Sequence, residues 1–171
     1  MRVDLAKLEN SRTSFDFVLK ASEIDLEDEE INLIDGIKVQ GNLTKGIAQT
    51  DVEGEISTVF EIECSRCLKM VENSLEFPFT AAFVAPEHYT GQLEKELDSG
   101  ELDVSLLETD EIDLKELVRE QILLAVPVQV LCREDCKGLC RICGADKNLI
   151  DCKCEEKEID PRWSALKNFK K

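Results

Sequence analysis

The sequence predicts an α+β fold in which an antiparallel β-meander is packed by one main helix and followed by a cysteine-rich C-terminal segment with a short terminal helix. Three patterns predict it: alternating apolar residues between positions 37 and 84, a helical apolar repeat after position 110, and six of the eight cysteines gathered in 131–154. We therefore expect a sheet-plus-helix body over residues 1–130 and a cysteine-rich segment over 131–171.

The sheet is predicted from two regions in which apolar and polar residues alternate. The stretch TSFDFVLK places Phe15, Phe17 and Leu19 on one face of a strand. Across residues 37–84 the same alternation predicts roughly four or five antiparallel strands of ordinary length. Turn-forming residues around 50–54 predict a break between two of these strands.

Two acidic stretches separate these elements. Residues 23–35 contain seven acidic residues and no basic one, which predicts a solvated loop or a frayed helix. Residues 87–116 contain eleven acidic residues and predict a long connector. For both stretches the alternative is a surface that contacts a basic partner.

The main helix is predicted from the stretch DLKELVREQILLAV. Asp110 or Asp113 would cap its start, and Pro127 would end it. The apolar residues that recur at steps of three and four are Leu114, Leu117, Val118 and Ile122. This stripe predicts a helix packed on the sheet.

The cysteines have spacings typical of metal ligands. Cys64 and Cys67 form C-x-x-C, a turn that directs two thiolates and nearby backbone N–H groups toward one ion. The others are Cys132, Cys136, Cys140, Cys143, Cys152 and Cys154. Eight thiols make two tetrahedral four-cysteine sites, so the sequence predicts two structural zinc ions.

Zinc is one of several interpretations of these thiols, and one division of the cysteines into two sets is favoured. An iron–sulfur cluster, a redox-switched or disulfide arrangement, and inert thiols are the alternatives to zinc. Iron–sulfur ligation is disfavoured because the spacings fit neither common ferredoxin pattern. The favoured partition sets Cys140 and Cys143 with Cys152 and Cys154, and leaves Cys132 and Cys136 to meet Cys64 and Cys67.

The sequence contains no pattern that predicts an enzyme or a small-molecule substrate. P-loop, dinucleotide-binding, nucleophile-elbow and H-E-x-x-H signatures are absent. His88 is the single histidine and has no metal-ligand spacing around it. The longest apolar run, at 122–128, is too short to cross a bilayer, so we expect a cytoplasmic chain with no membrane association.

The charge of the chain is uneven. Residues 132–171 hold ten Lys and Arg against eight Asp and Glu, whereas the whole chain has a net charge of -16. The body is therefore strongly acidic and repels nucleic-acid phosphates. A basic protein partner suits the body better, and direct RNA contact would fall to the C-terminal part.

Four motifs in this order resemble the YceD family of large ribosomal RNA subunit accumulation proteins. They are ECSRCLKM, IDLKELVREQILLAVPV, CKGLCRICGADKN followed by CKC, and the terminal DPRWSALKNFKK. The resemblance covers essentially the whole chain, and Arg141-Ile142 departs from it because proline is common after the cysteine. It implies a bacterial, cytoplasmic, non-enzymatic ribosome-biogenesis factor that supports synthesis, processing or accumulation of 23S rRNA.

The partner implied by this resemblance is a large-subunit ribosomal precursor, through rRNA, a basic ribosomal protein or both. The terminal stretch predicts a short helix capped by Asp160 that either docks on the domain or contacts the precursor. Its candidate contact residues are Arg162, Trp163, Lys167, Phe169, Lys170 and Lys171. A zinc-dependent RNA-binding module and a thiol-based redox-sensing regulator are the competing functions.

Overall fold

The computed structural model of the protein describes residues 1–8, 11–27, 31–86, 104–107 and 109–154, together with Arg162. Most of the elements are strands, and α1 is the one α-helix within these ranges. In chain order the elements are β1 (Arg2–Asp4), a 3₁₀ turn (Leu5–Lys7), β2 (Arg12–Leu19), a second 3₁₀ turn (Ala21–Glu23), β3 (Ile31–Leu33), β4 (Ile37–Lys45), β5 (Gln49–Glu63), β6 (Met70–Val84), β7 (Val104–Leu106), β8 (Glu111–Asp113) and α1 (Leu114–Ala125).

The main sheet has the strand order β2-β4-β5-β6-β7, with β3 also paired to β5. The hairpin of β5 and β6 is its longest unit and stays in register from Gln49 opposite Val84 to Glu63 opposite Met70. The predicted antiparallel pairing is found among β2, β4, β5 and β6, whereas β7 runs parallel to β6, so the sheet is mixed. A parallel neighbour requires a long connection, which the chain between β6 and β7 provides. Strands β1 and β8 form a separate pair.

The core lies between one face of this sheet and α1. Alternate residues of β4 and β5 are buried, and Ile37 and Ile56 are fully inaccessible to solvent. The helix contributes the predicted stripe, whose buried residues are Leu114, Leu117, Val118 and Ile122. Its start is capped by Asp113, whose carboxylate accepts a hydrogen bond from the backbone N–H of Lys115 at 3.0 Å. The prediction of one main helix packed on a sheet is confirmed.

The turn predicted around residues 50–54 is wrong, because β5 runs through it without a break. Gly54 lies opposite Gly41 of β4, and a Cβ on Gly54 would come within 2.9 Å of the Phe79 ring. Glycine is therefore needed there for close packing and not for a turn. The real turn lies just before β5, where the N–H of Gly46 donates to the carbonyl of Gln49 at 2.8 Å.

The acidic stretches contain more regular structure than their charge predicts. Strand β3 lies inside the stretch 23–35 because its three residues pair with β5. Strands β7 and β8 lie inside the stretch 87–116. The predicted terminal helix falls outside the described residues, apart from Arg162. No helix in the described part of the chain has both the length and the apolar character needed to cross a membrane.

Candidate metal centres

The structure brings the eight cysteines together in two sets of four. We call the first set, at the tip of the β5–β6 hairpin, the junction cluster, and the second the ribbon cluster. The junction cluster comprises Cys64, Cys67, Cys132 and Cys136, and the ribbon cluster comprises Cys140, Cys143, Cys152 and Cys154. Within each cluster the sulfur atoms all lie within 4.8 Å of one another. These are the same two sets that the spacing of the sequence favours.

The sulfur geometry suits a tetrahedral metal ion. Sulfur–metal bonds of about 2.3 Å place two tetrahedral ligands about 3.8 Å apart. In the junction cluster the sulfur atoms of Cys64 and Cys136 are 3.8 Å apart, and those of Cys67 and Cys132 are 3.6 Å apart. All eight cysteines are free, and a disulfide would need its sulfur atoms at about 2.05 Å. The donor set can hold a tetrahedral ion in each cluster.

The first C-x-x-C turn is held by two backbone hydrogen bonds. The N–H of Leu68 donates to the carbonyl of Cys64 at 2.9 Å, and the N–H of Cys64 donates to the carbonyl of Lys69 at 2.8 Å. This closure places Leu68 in the left-handed region, with φ of 59°. Such a conformation is unfavourable for a residue that carries a Cβ.

The second C-x-x-C turn has the same construction in the ribbon cluster. The N–H of Gly144 donates to the carbonyl of Cys140 at 2.8 Å, and the N–H of Cys140 donates to the carbonyl of Ala145 at 2.8 Å. Gly144 has φ of 73°, in the place that Leu68 occupies in the first turn. Glycine adopts this conformation without steric strain. The two turns are therefore equivalent in backbone and differ in one strained residue.

The cysteine-rich segment docks on the first turn through its backbone. The N–H of Ser65 donates to the carbonyl of Val130 at 2.8 Å, and the N–H of Leu139 donates to the carbonyl of Arg66 at 3.0 Å. The guanidinium of Arg66 donates to the carbonyl of Cys136 at 2.8 Å. Gly138 allows this approach, since a Cβ there would lie 2.8 Å from the Arg66 carbonyl oxygen. These bonds bring the cysteine-rich segment against the first turn, beside the junction thiols.

Backbone donors favour the thiolate form of the first cysteine in each turn. Burial raises the pKa of Cys64, but N–H groups of Arg66, Cys132 and Cys67 outweigh it and lower that pKa to about 6. The N–H groups of Cys143 and Ile142 lower the pKa of Cys140 to about 6 in the same way. Both turns therefore supply a thiolate near neutral pH.

Closely spaced sulfur atoms raise the pKa of other cysteines in the two clusters. Burial and the neighbouring Cys136 sulfur raise the pKa of Cys132 to about 12. A hydrogen bond to the Cys143 sulfur, together with burial, raises the pKa of Cys154 to about 12. Four thiolates this close repel one another unless a cation lies among them, so metal binding would release these protons.

Several residues singled out from the sequence lie outside the described part of the chain. They are His88, Trp163, Lys167, Phe169, Lys170 and Lys171. Of the candidate contact residues in the terminal stretch, Arg162 is the one that is described. Conversely, Arg66 and Asn148 contact the junction cluster and were missed, because no spacing rule links a guanidinium or an amide to a distant cysteine.

The family model that matches the chain covers both clusters and nearly all of the long hairpin. It is described as the large ribosomal RNA subunit accumulation protein YceD, and it matches residues 52–170. The chain belongs to the YceD family. The resemblance seen in the sequence is thereby confirmed.

Curated relatives of this YceD-family chain occur in bacteria and plants. The Bacillus subtilis protein YlbN is 29% identical over 158 residues, which cover 92% of this chain and 87% of YlbN. The Mycobacterium tuberculosis protein Rv2926c is 31% identical over 67% of this chain, which spans 53% of that relative. A chloroplastic protein of Arabidopsis thaliana named large ribosomal RNA subunit accumulation protein YCED homolog 1 is 33% identical over 37% of this chain and 20% of its own length. No solved structure matches the chain significantly.

The equivalence of the two turns in this YceD-family chain leads to a reciprocal test. We expect Leu68→Gly to retain metal and to stabilise the first turn, because it removes left-handed strain of about 1–2 kcal/mol at an exposed side chain. Gly144→Leu should introduce the same strain and weaken metal binding in the ribbon cluster by about tenfold. Chelator competition on the purified variants measures both effects. Equal metal affinity in both variants and the unchanged chain would contradict the strain argument.

Proposed function

We propose that the chain is a non-enzymatic, cytoplasmic ribosome-biogenesis factor that supports synthesis, processing or accumulation of 23S rRNA in the large ribosomal subunit. The observation that carries this proposal is membership of the YceD family, together with the names of the plant relatives. The proposed partner is a large-subunit precursor, and the proposed contact surface is the outer face of the main sheet.

The proposed cofactors are two structural zinc ions, one in each cluster. All-thiolate, tetrahedral donor sets favour zinc or iron–sulfur sites, and the four ligands leave no open coordination position for catalysis. In this proposal the junction cluster fixes the cysteine-rich segment to the hairpin, while the ribbon cluster organises the segment itself. The division into a body of residues 1–130 and a segment of residues 131–171 is part of the same proposal.

The solvent-facing side of the main sheet is the proposed partner surface. On strands β2, β4, β5 and β6 this outer face carries eight acidic side chains and two basic ones. The acidic residues are Asp16, Asp51, Glu53, Glu55, Glu61, Glu63, Glu72 and Glu76, and the basic residues are Arg12 and Lys38. An open face with this balance repels phosphate groups and attracts a basic protein surface.

One pair of like-charged residues on the outer face is unfavourable for the stability of the sheet. Glu61 and Glu72 are directly opposite each other in the register of β5 and β6. Like charges in opposed positions destabilise a sheet, and a basic partner would relieve the repulsion. Such locally unfavourable residues support a binding role for this face.

Metal binding would add to the acidity of the chain. A zinc ion with four thiolates carries a formal charge of −2, so two loaded clusters would make the protein more negative than its formal -16. This charge weakens the case for direct RNA binding by the cysteine-rich segment. It favours a basic ribosomal protein as the component that the chain contacts.

We expect the purified protein to contain two zinc ions per chain. Replacing Cys140 and Cys143 with Ser should leave one, because it removes two of the four ribbon ligands while the junction ligands remain. Elemental analysis and native mass spectrometry provide the counts, and protease mapping tests whether the strands stay folded. Iron with visible absorbance, or protein without metal, would exclude the zinc assignment. Melting of the whole chain in the variant would contradict the proposed division at residue 130.

The partner surface is tested by Glu61→Gln combined with Glu72→Gln. We expect the free energy of unfolding to rise by about 0.2–1 kcal/mol because the opposed charges are removed. In cells that depend on this protein, 23S rRNA should nevertheless fall, because the partner loses an attractive surface. Glu120→Gln combined with Glu134→Gln is the matched control, since both residues are exposed and lie off the main sheet.

If cells with normal amounts of the double Glu→Gln variant contain normal 23S rRNA, the outer face is not the partner surface. The alternative RNA-binding module has its own signature, which is binding of naked 23S rRNA by the zinc-loaded protein with affinity that falls steeply as salt increases. A chain that meets a basic protein should bind naked RNA weakly at every salt concentration.

A further inference from the structure

Asn148 connects the two clusters although it belongs to neither set of cysteines. It lies between Cys143 and Cys152, in the part of the chain that links the two pairs of ribbon thiols. Its side-chain nitrogen Nδ2 nevertheless lies 3.4 Å from the sulfur of Cys136, a member of the junction cluster. The loop of one cluster thus supplies a hydrogen-bond donor to the other.

The orientation of the Asn148 amide is fixed by the groups around it. Its Oδ1 accepts hydrogen bonds from the backbone N–H of Lys137 at 2.8 Å and from the guanidinium of Arg133 at 2.7 Å. Its Nδ2 donates to Oδ1 of Asp146 at 2.7 Å as well as facing the Cys136 sulfur. Because both neighbours of Oδ1 are donors, the amide cannot be reversed without losing two hydrogen bonds.

Two further hydrogen bonds, each donated by a backbone N–H group, anchor the loop that carries Asn148. The backbone N–H of Asn148 donates to Oδ1 of Asp146 at 2.8 Å, and the N–H of Lys147 donates to the carbonyl of Gly138 at 3.0 Å. Gly138 in turn lies against the first C-x-x-C turn through Arg66. A continuous set of hydrogen bonds therefore runs from the ribbon loop to the junction thiols.

We infer that Asn148 is a positioning residue that couples the two candidate metal centres. This inference rests on the proposed metal binding. Ions in the ribbon cluster fix the loop, the loop holds Nδ2 against Cys136, and the N–H donor stabilises that sulfur as a thiolate ligand. Partners of metal ligands commonly alter metal affinity by about 10- to 100-fold. By linkage, whatever factor the ion in the ribbon cluster adds to metal affinity at the junction cluster, an ion in the junction cluster adds to metal affinity at the ribbon cluster.

Two substitutions separate the donor role of Asn148 from a merely structural one. Asn148→Ala removes every side-chain hydrogen bond, whereas Asn148→Asp keeps an oxygen for Lys137 and Arg133 but replaces the N–H donor with negative charge. Both variants also lose the hydrogen bond from Nδ2 to Asp146, so a residue that acts only by holding the ribbon loop should weaken the ribbon cluster at least as much as the junction cluster. If Asn148 acts as a donor to Cys136, the junction cluster should be weakened more than the ribbon cluster, and more by Asp than by Ala. Asn32→Ala, at an exposed position on β3, is the matched control.

The experiment uses the full chain loaded with cadmium, which occupies four-thiolate sites and can be observed by NMR site by site. Chelator competition on each variant then gives the affinity of each cluster separately. We expect Asn148→Ala to weaken the junction cluster by about 10- to 100-fold, Asn148→Asp to weaken it further, and Asn32→Ala to change neither cluster. The resonance assigned to the junction cluster should also shift in both Asn148 variants.

A double-mutant cycle tests the coupling itself. Replacing Cys140 and Cys143 with Ser should weaken the junction cluster, and adding Asn148→Ala should then have a smaller effect than in the intact chain. Additive effects, or junction affinity within twofold of normal in both Asn148 variants, would overturn the inference. Absence of metal from the unchanged chain would instead overturn the proposed metal binding, so the two failures are distinguishable.

Discussion

Four sulfur atoms at the tip of the β5–β6 hairpin join two parts of the chain that are distant in sequence. Cys67 and Cys132 are separated by 65 positions, yet their sulfur atoms lie 3.6 Å apart. The hairpin tip has its own backbone closure, and the incoming segment is held against it by hydrogen bonds at Ser65 and Leu139. The position of residues 131–154 therefore depends on this junction.

The two faces of the main sheet differ in charge, and this difference bears on the proposed function. The core side of the sheet is covered by α1, whereas the charged side chains on the outer face of the main sheet are mostly carboxylates. A protein that presents carboxylates in this way is suited to contact a basic ribosomal component, because it competes for the same positive groups that meet RNA phosphates. In this view the clusters are structural, and the partner is recognised by the sheet.

Much of the fold was predictable because its main elements each bury one regular face. Alternation identified β2 and most of the long hairpin, and the capping position of Asp113 was readable before an apolar repeat with helical period. Strand β3 was not predictable, since its three residues lie in an acidic stretch and owe their conformation to pairing with β5. Gly54 led to the wrong prediction of a turn inside β5, because glycine is common in turns as well as at positions of close packing between strands.

The candidate site was predictable to a similar extent. The spacing of the cysteines indicated two sets of four, and the structure brings together the same sets. The parallel pairing of β7 with β6 and the contact between Asn148 and Cys136 each join residues that are not neighbours within one element or one cysteine motif. No local pattern encodes such contacts, which is why the connection between the clusters emerges only from the three-dimensional arrangement.

The claim that a metal ion at the junction cluster holds the cysteine-rich segment to the hairpin is tested most directly by hydrogen exchange. The informative amides are those of Ser65 and Leu139, which donate across the junction, with the paired amides of β4 and β5 as an internal reference. If the claim is correct, chelation will accelerate exchange at Ser65 and Leu139 together while the reference amides stay protected. If both junction amides remain protected after the metal has been removed, the backbone alone holds the segment and the claim is wrong.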